Sequence, residues 1–383
     1  MRSLNDFLLQ RRFRLKTEIY EEDSIQTCFE HLQLREDDLI LTNSFLLSTL
    51  TASGALNDAT VVNTDAYGSG EPQEAWVDEI LAEANRRAYR RVIAIGGGAT
   101  IDIGKLCIFG DGRSARELFD DKERLEKKRE LIAIPTTCGT GSEVTSVSVV
   151  EFGELHSKLG LQIDTLFPDR AVLIGELLQT LPAKTFAMTS IDALAHAVES
   201  LLSPKANAYT DMFAQTAIRG IVENLKESLV RNGLPSDMRK SLICANMAGI
   251  AFSIAGCATM HALSFPLGAG YHLVHGEAVY AVMRSTLAYY RSLQIPLDPL
   301  EEVLRPLFAD AQDPIEALLR MLESVQPAPS FQAMGIDVQK CEEMAESVYV
   351  NQQRLLVNAP IPLQSTDLKN IYCGCLRNKK EKA

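Results

Sequence analysis

The sequence predicts an α/β domain with a parallel sheet, followed by an all-helical domain. Short apolar runs alternate with helical patterns as far as Ile174, an order typical of a parallel sheet with helices on both faces. After Leu181 and Pro182 the patterns are helical only. A chain of 383 residues is long enough for two cores. We therefore place the domain boundary near residue 182, which gives domains 1–182 and 183–383.

The strands of the first domain are predicted from compact apolar runs that end at turn residues. The run from Asp38 to Asn43 is typical of a buried parallel strand. Similar or weaker patterns lie at 13–20 (as an edge strand or arm), 60–63, 91–95, 131–135, 147–150, 159–163 and 171–174. A helix is predicted at 76–87. The helical domain is predicted to contain helices at 184–202, 206–231, 236–260, 277–293, 313–324 and 337–348.

Composition and charge exclude some classes of function. The net charge of −12 argues against a nucleic-acid-binding surface, which needs an excess of basic residues. The eight cysteines have no zinc-ribbon spacing, and no secretory signal precedes them. We expect reduced thiols in a cytoplasmic protein that acts on a small molecule, and we expect a homo-oligomer, a dimer.

One long segment is free of charge. No Asp, Glu, Lys or Arg lies between Lys240 and Glu277, and the 20 residues from Ser241 to Met260 are mostly apolar. That length is enough to span a bilayer. The segment also contains Asn246 and many small residues, so a helix buried inside a helical domain is favoured over a membrane span.

A glycine-rich turn follows the strand at 91–95. Gly96, Gly97 and Gly98 lead into a helical pattern through Asp102 and Lys105. Glycine leaves room for a phosphate to approach the backbone, and the helix N-terminus offers free N–H groups. The turn is not the spaced G-x-G-x-x-G pattern, so a simple tight turn is the alternative.

A hydroxyl-rich loop follows the strand at 131–135. It runs from Thr136 to Thr145 and begins where a parallel strand ends, which is where open α/β sheets bind ligands. A solvated turn would have a similar composition. Two phosphate-suited loops after successive strands indicate a bound dinucleotide more strongly than either loop would alone.

A candidate metal site lies in the second domain. Four of the six histidines fall between residues 191 and 276, and Asp192 and His196 share one helical face. Asp192, His196, His261 and His275 would be a ligand set for Fe(II) or Zn(II). The alternative is that these histidines are structural.

With these residues in view, the chain resembles the metal-dependent, iron-containing alcohol dehydrogenase family over roughly residues 38–370. Within it the chain is similar to the NAD-dependent 4-hydroxybutyrate dehydrogenase branch, through Gly70-Glu71-Pro72, the Thr136-Thr137-Cys138 loop, Ser203–Asn207 and His261–Gly268. The resemblance implies a dehydroquinate synthase-like fold. In that fold a Rossmann-like dinucleotide-binding domain precedes an all-α domain, and the active site lies in the cleft between them.

The resemblance also implies roles for particular residues. Asp192, His196, His261 and His275 would hold the metal. The cofactor residues would be Gly97, Gly98, Ala99 and Asp102 at the pyrophosphate, and Thr136, Thr137, Thr140, Thr145, Val149 and Lys158 on the nicotinamide side.

Two positions depart from the family pattern. Many members have a histidine near the substrate where this chain has Phe265, so we nominate His272 as the proton-transferring residue, with a surface role as the alternative. Many members also have an Asp that accepts the adenosine ribose hydroxyls where this chain has Asn43. Because Asn43 is neutral, NADP is not excluded and discrimination against it is expected to be modest.

The implied activity is hydride transfer between NAD and a small primary alcohol or aldehyde, with 4-hydroxybutyrate and succinate semialdehyde as the expected pair. An alcohol or diol dehydrogenase of broader specificity is the main alternative. A dehydroquinate-synthase-like lyase, a metal-dependent hydrolase and a nucleotide-binding regulator are more distant ones. The hydrolase would not need the Gly96–Lys105 turn, and the regulator would not need four intact ligand positions.

Overall fold

The computed structural model of the protein describes residues 12–52, 56, 59–68, 70–153 and 157–377. The chain forms two compact units. Of the described residues, the α/β unit comprises those within Leu15–Leu181 and Asp237–Asn246, and the helical unit comprises 12–14, Pro182–Ser236 and 247–377. The predicted fold class, α/β followed by all-α, is confirmed.

A six-stranded parallel sheet forms the centre of the α/β unit. The strands of this unit are β1 (Glu18–Glu22), β2 (Asp38–Thr42), β3 (Thr60–Asn63), β4 (Arg91–Gly96), β5 (Glu130–Pro135), β6 (Val147–Phe152), β7 (Ser157–Gln162) and β8 (Arg170–Ile174). The sheet order is β1-β8-β5-β4-β2-β3, and each neighbouring pair is parallel. Strands β6 and β7 form a separate antiparallel pair.

Both faces of the central strands are buried. Successive side chains of a strand point to opposite faces. Leu39 and Leu41 of β2 pack in a core that includes Trp76, whereas Ile40 and Ile93 point to the other face and are also buried. This explains why the strands are continuous apolar runs rather than alternating ones.

The first strand begins later than predicted. It lies at the sheet edge, as expected, but it starts at Glu18, where Thr17 Oγ1 donates to the Pro168 carbonyl at 2.8 Å. Phe13 belongs instead to the helical unit, where its ring stacks on that of Phe213 with centroids 5.9 Å apart. The prediction of a strand from residue 13 was therefore wrong by several residues.

In the part of the chain that the structure describes, five helices accompany the sheet: α1 (Ile25–Leu32), α2 (Ser44–Ala52), α3 (Glu74–Ala84), α4 (Gly98–Cys107) and α5 (Ala115–Asp120). The helix predicted at 76–87 is α3, and it begins and ends slightly earlier. Helix α4 begins directly after the glycine-rich turn, as predicted.

The remaining helices are α6 (Ala183–Leu202), α7 (Ala208–Arg231), α8 (Met238–Ala255), α9 (Thr259–Tyr271), α10 (His275–Ser292), α11 (Asp298–Leu304), α12 (Pro314–Val325), α13 (Val338–Asn351), α14 (Gln353–Leu356) and α15 (Ser365–Arg377). Helix α6 begins at Ala183, next to the boundary drawn from sequence. Helices α9, α11, α14 and α15 are not among the helices predicted from sequence, and α11 and α14 are very short.

The single helix predicted at 236–260 was wrong. Helix α8 ends at Ala255, and Gly256 adopts φ +85°, a left-handed conformation that favours glycine. A Cβ atom at Gly256 would lie 2.3 Å from Asn358 Nδ2, so the turn also needs the missing side chain. Helix α9 then departs at an angle of 106°. The break sets the direction of the helix that carries His261.

The charge-free segment therefore forms two helices instead of one. Among the described residues, no single helix is long and apolar enough to cross a membrane. The bent pair α8 and α9 would meet that criterion only when its two members are taken together.

Candidate metal and dinucleotide sites

Helix α6 carries three buried polar side chains on one face. Asp192, His196 and Glu199 occupy positions i, i+4 and i+7, the spacing of a single helical face. Their exposed fractions are 3 %, 4 % and 4 %. Buried charged groups require partners, so this face must be matched by other polar groups or by an ion.

His261 and His275 reach the same face from the two helices that follow α8. His261 lies in the first turn of α9, and His275 is the first residue of α10. The Nε2 atoms of both imidazoles lie 3.5 Å from Asp192 Oδ1. One ligand-suited atom from each of these three residues lies within 4.8 Å of the others. The structure thus brings three of the four predicted ligands close enough to share one ion.

The residues present fit a divalent metal. Asp192 Oδ1 and His261 Nε2 are buried and have no hydrogen-bond partner among the described residues. An unsatisfied buried polar atom costs about 1–3 kcal/mol, and a bound cation would remove that cost at both atoms. Two ligands of a tetrahedral zinc ion lie about 3.4 Å apart, close to the spacing observed between these atoms.

His196 lies beside this group. Its Nδ1 atom is 4.0 Å from Asp192 Oδ2. Its ring is stacked between those of Phe252 and His261, with centroids 4.1 and 4.2 Å away. With Cys257 and His261 it forms a second group whose ligand-suited atoms lie within 4.8 Å of one another. Its role as the fourth ligand stays a prediction.

Glu199 is a site residue that the sequence analysis missed. Its Oε2 atom lies 2.6 Å from His261 Nδ1, and its carboxylate also accepts from the backbone N–H groups of Ala258 and Met260 at the start of α9. A carboxylate on one imidazole nitrogen orients the other nitrogen toward a metal. The signal was available in the sequence, because Glu199 lies two turns after Asp192 on the same face.

The charges of the site favour a cation. Burial lowers the pKa of His261, but the carboxylates of Glu199 and Asp192 outweigh burial and raise that pKa to about 9. Burial raises the pKa of Asp192, but the imidazoles of His196, His275 and His261 outweigh it and hold that pKa below its ordinary value. Two buried carboxylates thus stabilise positive charge at the point where the imidazoles meet.

Gly276 allows α10 to approach α6. A Cβ atom at Gly276 would lie 2.4 Å from the carbonyl oxygen of Met188, which belongs to α6. The adjacent His275 can therefore reach Asp192. This close approach explains why a glycine follows His275 in the sequence.

His272 ends helix α9. It adopts φ 54° and ψ 29°, and its backbone N–H donates to the Leu267 carbonyl. Its side chain is exposed, and it belongs to neither of the two metal-suited groups found among the described residues. Its helix-ending position accounts for the residue structurally, and its role in proton transfer stays a prediction.

The glycine-rich turn lies at the carboxyl end of the parallel sheet. Gly97 precedes α4 and has no side chain to cap it, which leaves the first backbone N–H groups of the helix for a ligand. Gly98 and Ala99 form the half-buried first turn. A Cβ atom at Gly98 would lie 2.6 Å from Thr140, so the turn and the hydroxyl-rich loop pack on each other.

The hydroxyl-rich loop follows the adjacent strand. The Thr136 N–H donates to the Gly96 carbonyl at 3.0 Å, and the Thr137 side chain lies 3.6 Å from a Cβ position at Gly97. Thr140 Oγ1 accepts from the Ser142 N–H. The buried Thr136 hydroxyl has no partner among the described residues. The structure thus brings Thr136, Thr137 and Thr140 next to the glycines.

Asp102 is half-buried and Lys105 is fully buried, and polar contacts hold both side chains. Asp102 Oδ2 accepts from the Val149 N–H at 3.0 Å, and its Oδ1 accepts from Lys105 Nζ at 3.2 Å and from the Ser142 hydroxyl. The fully buried Lys105 also donates to Thr145 Oγ1 at 3.1 Å. Asp102, Thr145 and Val149 thus join α4 to the loop and to β6. The contact of Asp102 with pyrophosphate stays a prediction.

Lys158 and Asn43 each have carboxylate neighbours. Lys158, on β7, is buried, and its Nζ lies 3.5 Å from Glu71 Oε1. Asn43 follows β2, and its side-chain amide donates to Asp65 Oδ1 at 2.8 Å. Like Glu199, Asp65 lies at a predicted site but was not predicted from sequence. It follows β3, whereas Asn43 follows β2, so the two residues are far apart in the chain.

Known protein families match both parts of the chain. The iron-containing alcohol dehydrogenase pattern matches residues 17–174, and the C-terminal pattern of the Fe-containing alcohol dehydrogenase family matches residues 186–375. The chain therefore belongs to the iron-containing alcohol dehydrogenase family. It is an oxidoreductase.

Individual relatives are similar over most of their length. The 4-hydroxybutyrate dehydrogenase of Clostridium kluyveri is 36 % identical over 94 % of this chain and 98 % of its own length. Long-chain-alcohol dehydrogenase 1 of Geobacillus thermodenitrificans is 33 % identical over 79 % of each chain. The structure of sulfoacetaldehyde reductase from Bifidobacterium kashiwanohense, in complex with NAD+, has a TM-score of 0.81 at 22 % identity and covers 96 % of this chain and 98 % of its own.

Proposed function

We propose that this enzyme transfers a hydride between NAD and 4-hydroxybutyrate, with succinate semialdehyde as the oxidised product. The observation that carries the proposal is the Asp192–His261–His275 group in a chain that is 36 % identical to a 4-hydroxybutyrate dehydrogenase over 94 % of its length. These three residues, called the metal group below, fit a Lewis-acid metal. The name of the relative indicates the class of substrate.

Each part of the chain has a distinct task in this reaction. Asp192, His261 and His275, with His196, would hold one Fe(II) or Zn(II) ion, and Glu199 orients His261. A bound divalent ion supplies a Lewis acid that lowers the pKa of an alcohol. The turn Gly96–Gly98 would receive the pyrophosphate of NAD, and Thr136, Thr137 and Thr140 would lie on its nicotinamide side.

Which metal the enzyme binds in the cell depends on the availability of each ion as well as on the affinity of the site. Imidazole and carboxylate ligands favour zinc over iron in intrinsic affinity. The family name therefore does not decide which ion this chain uses. Metal analysis of the protein purified from cells grown with both ions identifies it. A cytoplasmic location and a homodimer remain part of the proposal, and light scattering tests the dimer.

A hydroxy acid needs a partner for its carboxylate. An unpaired buried carboxylate costs several kcal/mol. Near the metal group, Asn358 Nδ2 donates to the carbonyl oxygens of Cys257 at 2.8 Å and Arg354 at 3.4 Å. Arg354 is exposed to solvent. Partial burial of its guanidinium lowers the pKa of that group, and the neighbouring Cys257 raises it. An accessible cation partly surrounded by protein is suited to a substrate carboxylate, so we propose Arg354 for this role.

The decisive experiment compares 4-hydroxybutyrate with 1-butanol, which lacks the carboxylate. We expect kcat/KM to favour the acid by tenfold or more, about 1.4 kcal/mol. In Arg354→Ala this preference should fall, while the use of butanol should change little. Arg320→Ala is the matched control. Arg320 is another exposed arginine, and it lies on α12.

A broader alcohol dehydrogenase is the second candidate. The observation that favours it is the similarity to a long-chain-alcohol dehydrogenase, 33 % identical over 79 % of this chain. Equal or better use of butanol by the wild-type enzyme would establish this alternative. A preference for the acid that persists in Arg354→Ala would retain the substrate but reject Arg354 as its partner.

A further inference from the structure

Three neighbouring strands end at one level of the sheet. Thr42 of β2 is paired with Ile95 of β4 on one side and with Asn63 of β3 on the other. The residues that follow these strands therefore lie next to one another at the carboxyl edge. They are Gly97, which follows Gly96 at the end of β4, Asn43 after β2, and Thr64 with Asp65 after β3. Ligands of open α/β sheets bind at this edge.

Asn43 uses its amide within the protein. Its Nδ2 atom donates to Asp65 Oδ1 at 2.8 Å and to Thr64 Oγ1 at 3.2 Å. Its Oδ1 atom accepts from Thr100 Oγ1 at 3.1 Å. An amide has two N–H donors, and the two nearest acceptors here are both protein atoms. Asn43 is thus suited to positioning its neighbour rather than to accepting the hydroxyls of a ribose.

Asp65 carries the charge that Asn43 lacks. Its Oδ1 accepts from Asn43, and its Oδ2 accepts from the Ser44 N–H at 2.8 Å, so the carboxylate is held from two sides. The residue is exposed to solvent. A carboxylate offers about four lone-pair sites, so two remain for other donors.

We propose that Asp65 sets the preference of this enzyme for NAD over NADP. It would accept the hydroxyls of the adenosine ribose and repel a 2′-phosphate. In dinucleotide-binding folds generally, a carboxylate about 20 residues after the glycine turn hydrogen-bonds the ribose hydroxyl. Asp65 precedes the turn in the sequence, but it follows β3 and lies at the same carboxyl edge of the sheet. The proposal rests on the proposed function, because it assumes that the glycine turn receives the pyrophosphate. It replaces the expectation, drawn from the neutral Asn43, that discrimination is modest.

The test exchanges the charge between the two positions. Asp65→Asn removes the charge at nearly constant volume and keeps an oxygen that can accept from Ser44. The double variant Asn43→Asp with Asp65→Asn returns a carboxylate to the same edge and keeps a donor–acceptor pair between the two side chains. Dissociation constants for NADH and NADPH are measured by nicotinamide fluorescence, with melting temperatures to establish that each variant is folded.

We expect the wild type to bind NADH at least tenfold more tightly than NADPH, about 1.4 kcal/mol. In Asp65→Asn the ratio should shift toward NADPH by tenfold or more, and in the double variant it should return toward NADH. If Asp65→Asn does not fold, the double variant is compared with Asn43→Asp alone. We then expect Asn43→Asp to prefer NADH over NADPH at least as strongly as the double variant does.

Two results would overturn the proposal. One is a folded Asp65→Asn protein in which the ratio of the dissociation constants for NADH and NADPH equals that of the wild type. That result would limit Asp65 to capping α2. The other is a wild type that binds both cofactors equally. A wild type that binds neither nucleotide contradicts the proposed function itself, and this outcome is distinct from the other two.

Discussion

At the scale of single residues, the carboxylate of Glu199 determines how His261 presents its second nitrogen. Glu199 Oε2 lies 2.6 Å from Nδ1, while Nε2 faces Asp192 Oδ1 at 3.5 Å. If Nδ1 carries the proton, the lone pair of Nε2 is available to a metal. The residue therefore acts through His261, as a positioning residue.

The first residue-scale prediction concerns metal affinity. In Glu199→Gln the partner of His261 loses its charge, and one of its two acceptor atoms becomes a donor. We expect the affinity for Zn(II), measured in competition with a chromophoric chelator, to fall by about 10- to 100-fold. Glu302→Gln, an exposed position on α11, serves as the control. Wild-type affinity in a folded Glu199→Gln protein would remove Glu199 from the site.

At the scale of secondary-structure elements, the metal group depends on how closely three helices approach. Helix α6 provides Asp192 and Glu199, and the first residues of α9 and α10 provide His261 and His275. Gly256 redirects the chain between α8 and α9, and Gly276 lets α10 lie against the Met188 carbonyl. The positions at which α9 and α10 begin therefore determine where the imidazoles of His261 and His275 lie.

The element-scale prediction uses this close approach. In Gly276→Ala the new Cβ would lie 2.4 Å from a backbone oxygen, which cannot rotate away, so α10 must shift. We expect the free energy of unfolding to fall by about 1–3 kcal/mol and the metal affinity to fall with it. Chemical denaturation and metal titration measure the two effects.

The control for this prediction is Gly270→Ala. Gly270 lies near the end of α9, and apart from its chain neighbours and the backbone of its own helix, no described atom lies within 4 Å of its Cβ position. Alanine should be neutral there or should stabilise the helix by about 0.5–1 kcal/mol. Equal stability and metal affinity in both variants would mean that the approach of α10 to α6 does not define the site.

At the scale of the whole molecule, ligand binding and stability are linked. A ligand that binds only the folded protein raises the free energy of unfolding by about 4 kcal/mol at a thousand times its dissociation constant. The helical unit contains the metal group, and the α/β unit contains the glycine turn. The two ligands can therefore be tested separately.

The whole-molecule prediction is a thermal one. Adding Zn(II) or Fe(II) to metal-stripped protein should raise its melting temperature, whereas His261→Ala, which lacks a ligand, should gain little. NADH should stabilise both proteins to a similar extent, because His261 is not part of the glycine turn. A metal-induced increase in His261→Ala equal to that of the wild type would contradict the assignment of His261.

The sequence by itself determined the central strands of the sheet, the glycine turn and the common face of two predicted metal ligands. Apolar runs such as Asp38–Thr42 identify buried strands because both faces of a parallel sheet are covered. The four-residue spacing of Asp192 and His196 fixes their common face through local helix geometry. Periodicity and local spacing carry this information, so no tertiary contact is needed to find these features.

Only the tertiary structure decided which distant residues meet. The contact between Asn43 and Asp65 depends on the pairing of β2 with β3, which no local pattern specifies. Similarly, the sequence predicts a helix through Gly256, where the contact with Asn358, some hundred residues later, requires a turn. The physical reason is that hydrogen bonds and close packing between segments far apart in the chain outweigh local helix and strand preferences.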